Sequence, residues 1–166
     1  MSRPEVMVRM GELAVSADPA EVLVSLALGS CVGVAMVDRR RCLAGLAHVM
    51  LPESPAHPPA GAEVGKFADT AVPELLDRLL ELGALRPRIE VSLVGGAQMF
   101  AFGSESSAVG PRNEAAVRQA LTAVRLPVLA ACTGGKQGRT IRVDVETGEV
   151  SYKAAGGPVT PLRRAA

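Results

Sequence analysis

Aromatic side chains are nearly missing from this sequence, which has no Trp, one Tyr and three Phe in 166 residues. Recognition of bases or sugar rings by stacking is thereby disfavoured, and an interior must be filled by Val, Leu, Ala and Met. Charge of one sign is also lacking. A formal net charge of +1 gives no global field to draw in nucleic acid or acidic lipid. The basic run Arg39-Arg40-Arg41 reads as a solvated turn, and Arg163-Arg164 is the only other. Cysteine is scarce: Cys31, Cys42 and Cys132 are odd in number and widely spaced, with no C-x-x-C pair. That argues against a disulfide framework and against structural zinc, and for free thiols in a reducing compartment. The N-terminus has no apolar signal segment, and the longest uncharged stretch, Val22 to Val37, is too short and too polar for a membrane span. The expectation is a cytoplasmic protein with no membrane insertion, no nucleic-acid partner and no metal.

What is present is a chain with 48% apolar residues, sized for one core. Short strands are predicted at Val6 to Arg9, Leu13 to Ser16, Val22 to Leu28, Cys31 to Val37 and Leu43 to Met50. The last two form a hairpin around a four-residue loop, Asp38 to Arg41, built on a type I turn. Pro52 to Gly65, which includes His57, reads as an irregular exposed loop. A helix follows, with Asp69 as N-cap, Pro73 in the first turn and Leu75, Leu76, Leu79, Leu80 and Leu82 on its apolar face; Gly83 ends it. Strands are expected at Ile89 to Val94, Pro127 to Ala131, Ile141 to Val145 and Val150 to Lys153, and a second helix from about Asn113 to Val124. Residues 1–154 thus make one mixed α/β (α+β) domain, and 155–166 a loosely held tail.

Chemistry concentrates in Gly29-Ser30-Cys31 and Ala47-His48-Val49-Met50. If Val37 faces Cys42 across a symmetric hairpin loop, Cys31 falls directly opposite His48. Directly opposed Cβ atoms lie about 4.5–5.5 Å apart, near enough for sulfur and imidazole to share a proton. An imidazole that takes the thiol proton yields a nucleophile able to attack an acyl carbon, and can later protonate the leaving group. The Gly29-Ser30 turn can offer backbone N–H groups, that of Cys31 among them, to a developing oxyanion. Ser25 and Ser30 are candidates to orient the base. Residue types alone leave the alternative open that Cys31 is a small buried hydrophobe. Cys42 and Cys132 read as packed thiols, and Gly134-Gly135-Lys136-Gln137-Gly138 as a tight turn lacking the ending of a phosphate loop.

At these residues the sequence resembles the CheD family, the chemoreceptor glutamine deamidases. The matching stretches are Leu28-Gly29-Ser30-Cys31-Val32, Ala47-His48-Val49-Met50-Leu51-Pro52, Lys66-Phe67-Ala68-Asp69-Thr70-Ala71, Gly95-Gly96-Ala97-Gln98-Met99-Phe100, Gly110-Pro111-Arg112-Asn113 and Thr133-Gly134-Gly135. They follow the family's order over about residues 5 to 153. The resemblance implies hydrolysis of receptor glutamine side chains to glutamate with release of ammonia, through a Cys-His thioester mechanism. In some members it extends to receptor glutamate methyl esters. It puts Cys31 on the family's nucleophile, His48 on its base, and Ser25 on a third catalytic position usually held by Thr. It implies no cofactor. The implied fold is a mixed β-sheet sandwich with flanking helices, similar to the catalytic domain of glutamine-deamidating bacterial toxins. The implied partners are the cytoplasmic domains of chemotaxis receptors and a CheC-type phosphatase. Gly95 and Gly96 would bring backbone close to the cleft, alongside Gly29 and Ser30.

Two rival functions fit the same residues. One is a regulatory binding partner of the CheC-type phosphatase in which catalysis is secondary. The other is a different cysteine-dependent acyl hydrolase or transferase, since one nucleophile serves amide, ester and peptide carbonyls.

Overall fold

The computed structural model describes residues 3–55, 64–98 and 108–163. His57, Met99, Phe100 and Arg164 lie outside the described residues, as does most of the Pro52 to Gly65 loop. The order is β1 (Glu5–Met7), β2 (Leu13–Ser16), β3 (Val22–Leu28), β4 (Val32–Asp38), β5 (Leu43–Val49), α1 (Ala68–Glu81), β6 (Glu90–Gly95), α2 (Val109–Ala123), β7 (Val128–Thr133), β8 (Arg139–Asp144), β9 (Val150–Ala154) and β10 (Thr160–Pro161).

The strands form two mixed sheets, one ordered β1-β3-β8-β9-β10 and the other β2-β5-β4-β6-β7. Parallel pairs, β1 with β3 and β6 with β7, occur once in each among otherwise antiparallel ladders. Every residue of β4 and β5 is buried, so these strands lack a polar-out alternation. Both faces of their sheet are covered. On one face Val32, Val34, Met36, Ala47 and Val49 pack against Leu75, Leu76 and Leu79 of α1 and Val117 and Leu121 of α2. On the other, Ala35, Val37, Ala44 and Leu46 meet Leu23, Leu28, Ile141 and Val143 of the second sheet. The expected α+β sandwich is therefore realised as sheet on sheet, with the helices on the outer face of one of them. Leu75 and Leu79 are fully buried, and each such side chain contributes about 1.5–3 kcal/mol.

Several local expectations are corrected. Asp69 is not the N-cap of α1: Phe67 holds that position without a side-chain cap. The helix starts early because Phe67 bridges to Leu51 and the Ala68 N–H donates to the Leu51 carbonyl (3.0 Å), supplying by backbone what a cap would supply. The Asp69 carboxylate instead accepts from the Ser54 N–H and hydroxyl, at 3.0 and 2.9 Å. With that start, Pro73 lies inside the helix beyond its first turn. Leu82 is an exposed C-cap, not part of the apolar face, and Gly83 follows in the left-handed region at φ +106°. The second helix begins at Val109, so Asn113 lies in its first turns and not at its start. Within residues 155–163, β10 pairs with β9 and Leu162 packs against the inter-sheet core.

Candidate active site

The hairpin of β4 and β5 sets the relation between Cys31 and His48, and its register differs from the expected one. Val37 faces Ala44 and Asp38 faces Leu43, so the residue across from His48 is Gly33. The loop keeps four residues but sits one further along the chain. Asp38 is held in the strand, where its carboxylate accepts from the Leu85 N–H (2.9 Å), and Cys42 closes the loop in the left-handed conformation (φ 52°). Cys31 lies just before β4, two residues from Gly33, and is therefore diagonal to His48 instead of directly opposite. A two-residue displacement preserves side-chain parity, because successive strand residues alternate between faces. Cys31 accordingly packs against the inter-sheet core, the face to which Ala44, Leu46 and His48 belong. At Gly33 an added Cβ would meet Leu28 Cδ1 at 3.0 Å and Ile141 Cγ2 at 3.2 Å, so this strip between the sheets is tightly filled.

His48 is buried, 3% exposed, and its backbone is tied on both sides: its N–H donates to the Glu12 carbonyl and its carbonyl accepts from the Gly11 N–H. The ring Nδ1 lies 3.3 Å from the Val8 carbonyl oxygen. A carbonyl can only accept, which fixes the proton on Nδ1 and leaves the Nε2 lone pair as the basic site. Nε2 is buried and, among the described residues, has no hydrogen-bond partner. Burial lowers the His48 pKa, opposed by the Val8 carbonyl and by the negative charge of Glu12. Burial raises that of the Cys31 thiol. Both shifts run in the direction that favours the uncharged forms of the two side chains.

Ser25 is fully buried on β3, and its hydroxyl donates to the same Val8 carbonyl at 2.7 Å. Past Ser25 the pairing of β3 with β8 shifts register through Ala27 at φ 52°, and this bulge turns the chain into Gly29-Ser30-Cys31. The two glycines sit directly against that turn. The Gly96 N–H donates to the Cys31 carbonyl and the Ala97 N–H to the Gly29 carbonyl, both at 2.8 Å. A Cβ on Gly95, at φ +117°, would lie 2.3 Å from the Cys31 carbonyl oxygen. Gly96 thus spends its N–H on the backbone of the Cys31 turn.

Two participants escaped the sequence reading. The Val8 carbonyl carries no sequence signal, since any residue presents one. Asn113 did carry one: it lies in the Gly110 to Asn113 stretch, and an asparagine inside a helix competes with the backbone unless its amide is used elsewhere. Its side chain is fully buried, and Nδ2 donates to the carbonyls of Ser30 and Met50, both at 2.9 Å. Its Oδ1 is buried without a partner among the described residues, a loss of about 1–3 kcal/mol that this geometry tolerates. Elsewhere, Cys42 Sγ donates to the Glu146 carbonyl (3.4 Å) and Cys132 is half-buried on β7.

A nucleophile-type residue and a base-type residue thus lie on one face, with the base's tautomer set by a carbonyl that a serine also engages. Residues 50–154 match the family model described as CheD chemotactic sensory transduction. A protein of Lachnoclostridium phytofermentans is 42% identical over 142 residues, covering 84% of this chain and 88% of the relative. The chain belongs to the CheD family. Further family members from Clostridium botulinum strains Hall and Kyoto are 37% identical over 158 residues, 94% of this chain and 96% of theirs. All three relatives are named "Probable chemoreceptor glutamine deamidase CheD". The family model begins past Cys31 and His48, whereas these alignments run over most of the chain.

Proposed function

We propose that the chain hydrolyses glutamine side chains in the cytoplasmic domains of chemotaxis receptors to glutamate and ammonia, with Cys31 as nucleophile and His48 as base. The observation that carries this reading is the state of His48: Nδ1 is occupied by Val8 and Nε2 has no partner among the described residues, on the face that Cys31 also occupies. The names of the relatives supply the substrate class.

In the reaction, Nε2 of His48 takes the Cys31 proton as Sγ attacks the carboxamide carbon. The Sγ–C bond forms and the carbonyl π pair moves onto oxygen. The imidazolium is stabilised through Nδ1 by the Val8 carbonyl, which Ser25 holds from its other side. Collapse restores the C=O and breaks the C–N bond. The proton on Nε2 goes to the leaving nitrogen, which departs as ammonia and leaves a thioester. Water, deprotonated by the same Nε2, then adds to the thioester, and the thiol leaves with its proton returned. In the resting protein no hydrogen bond joins Sγ to the ring, and such contacts commonly tighten only when substrate is bound.

Mass spectrometry of a receptor cytoplasmic fragment, incubated with wild type or Cys31→Ala, tests the reading. Glutamine-to-glutamate conversion is expected with the wild type alone; equal conversion with both proteins defeats it.

A second role, binding a CheC-type phosphatase, is favoured by the apolar residues flanking the site. Met10 and Leu26 are 58% and 55% exposed; Met10 adjoins Gly11, which bonds His48, and Leu26 follows Ser25. Binding of such a phosphatase by Cys31→Ala, with receptor fragment competing for it, is the expected signature of a shared surface.

A further inference from the structure

Two hydrogen bonds pin the peptide planes on either side of Cys31. The Cys31–Val32 plane is fixed by the Gly96 N–H on the Cys31 carbonyl, and the Ser30–Cys31 plane by Asn113 Nδ2 on the Ser30 carbonyl. In a trans peptide the C=O and the following N–H point in opposite directions, and no described peptide bond is cis. With the Ser30 carbonyl drawn toward α2, the Cys31 N–H points away from it. The helices cover one face of the β2-β5-β4-β6-β7 sheet, and Cys31 packs on the other face, which His48 shares. Among the described residues the Cys31 N–H donates to no backbone carbonyl. Asn113 also holds the Met50 carbonyl, two residues beyond His48, so one buried amide ties the nucleophile's turn to the end of the base's strand.

We propose that Asn113 is a positioning residue for the deamidation, fixing the Ser30–Cys31 peptide so that the Cys31 N–H meets the oxyanion formed when Sγ attacks the carboxamide. The inference rests on the function proposed above and assigns Asn113 no contact with substrate. Nδ2 is the only part of the side chain that can do this, because both of its partners are acceptors. A donor preorganised toward developing charge stabilises the transition state and not the ground state, so its misalignment lowers kcat and leaves KM alone.

The test compares two reactions of one sulfur. Deamidation develops an oxyanion, whereas alkylation by iodoacetamide, a displacement at a saturated carbon, does not. Asn113→Asp keeps the shape but removes the donor, and Asn113→Ala removes the amide. For both, kcat on the receptor fragment is expected to fall about 10- to 100-fold with KM nearly unchanged. Alkylation of Cys31, distinguished from Cys42 and Cys132 by peptide mapping, should hold its wild-type rate. An unchanged kcat, a change confined to KM, or a parallel loss of alkylation overturns the inference. Should neither variant fold, the wild type still decides it. A peptide bearing an aldehyde in place of the target carboxamide adds to Sγ, placing an oxyanion-like oxygen in the site, and the Cys31 amide proton should move downfield in its NMR spectrum; an unmoved resonance overturns the proposal. Failure of the wild type to convert glutamine is a different result, and it removes the proposed function itself.

Discussion

Ser25 and His48 meet at a single oxygen: the Val8 carbonyl accepts from the serine hydroxyl at 2.7 Å and from the imidazole Nδ1 at 3.3 Å. A carbonyl has two lone pairs, and both are used. Val8 lies on the segment that carries the chain from β1 in one sheet to β2 in the other, and its N–H is bonded to the Val24 carbonyl (2.8 Å). The atom that sets the tautomer of His48 is therefore built into the joint between the sheets, and the Ser25 hydroxyl is bonded to it as well.

Replacing Ser25 removes that support without touching the imidazole. For Ser25→Ala we expect a loss of about 1 kcal/mol in urea unfolding and a kcat about tenfold lower at unchanged KM. Ser25→Thr keeps the hydroxyl and should retain most of the activity. A Ser25→Ala protein with full kcat would show that the hydroxyl has no part in orienting the base.

The pH dependence follows from the two burial effects. His48 titrates below the ordinary imidazole range, so the acid limb of kcat/KM should lie below that range. Cys31 titrates above the ordinary thiol range, so its alkylation should rise only at correspondingly alkaline pH. The sign for stability is set by the same histidine. Between its lowered folded value and its ordinary unfolded value, the unfolded chain binds more protons. Stability is therefore complete above the unfolded value and declines as pH falls through that window. Unfolding curves of wild type and His48→Gln should diverge in slope there; identical slopes would contradict the burial effect.

Gly95 faces the Cys31 carbonyl with no room for a side chain. Gly95→Ala combines a 2.3 Å clash against backbone with a positive φ, and should cost about 3 kcal/mol or more. Calorimetry or urea titration reads this directly. Because the clash falls on the Cys31 peptide, the proposed mechanism expects any folded fraction to have lost deamidation as well.

Asp69 provides the contrast. Among the described residues its carboxylate bonds only Ser54, so Asp69→Ala should cost about 1 kcal/mol or less and leave kcat within about twofold of wild type. A large loss of kcat with stability intact would instead give this residue a place in substrate binding.

Much of the scaffold could be read from local pattern. Val22 to Leu28 and Leu13 to Ser16 begin and end where their apolar and turn residues say they should, because β-branched runs and Gly or Pro punctuation act within a few residues. The errors arose where a distant partner decides. Asp69 has the chemistry of an N-cap, yet the Leu51 carbonyl satisfies the Ala68 N–H and moves the helix start. Asp38 has the chemistry of a turn residue, yet the Leu85 N–H keeps it in the strand, and the register against His48 moves by two positions.

The sequence by itself put Cys31 and His48 on one face only on condition of an even hairpin loop. The four-residue loop meets that condition, although the direct opposition it also implied does not occur. Strand parity is a period of two, and a hairpin loop of four residues preserves it wherever along the chain the loop is centred. Only the tertiary structure decided which atoms serve those two side chains: the Val8 carbonyl under His48, the Gly96 N–H on the Cys31 carbonyl, and the Asn113 amide joining Ser30 to Met50. Backbone groups are the same in every residue, so a sequence cannot mark which of them will be aimed at a site. Their direction is fixed by the packing of two sheets and a helix, through contacts between residues far apart along the chain.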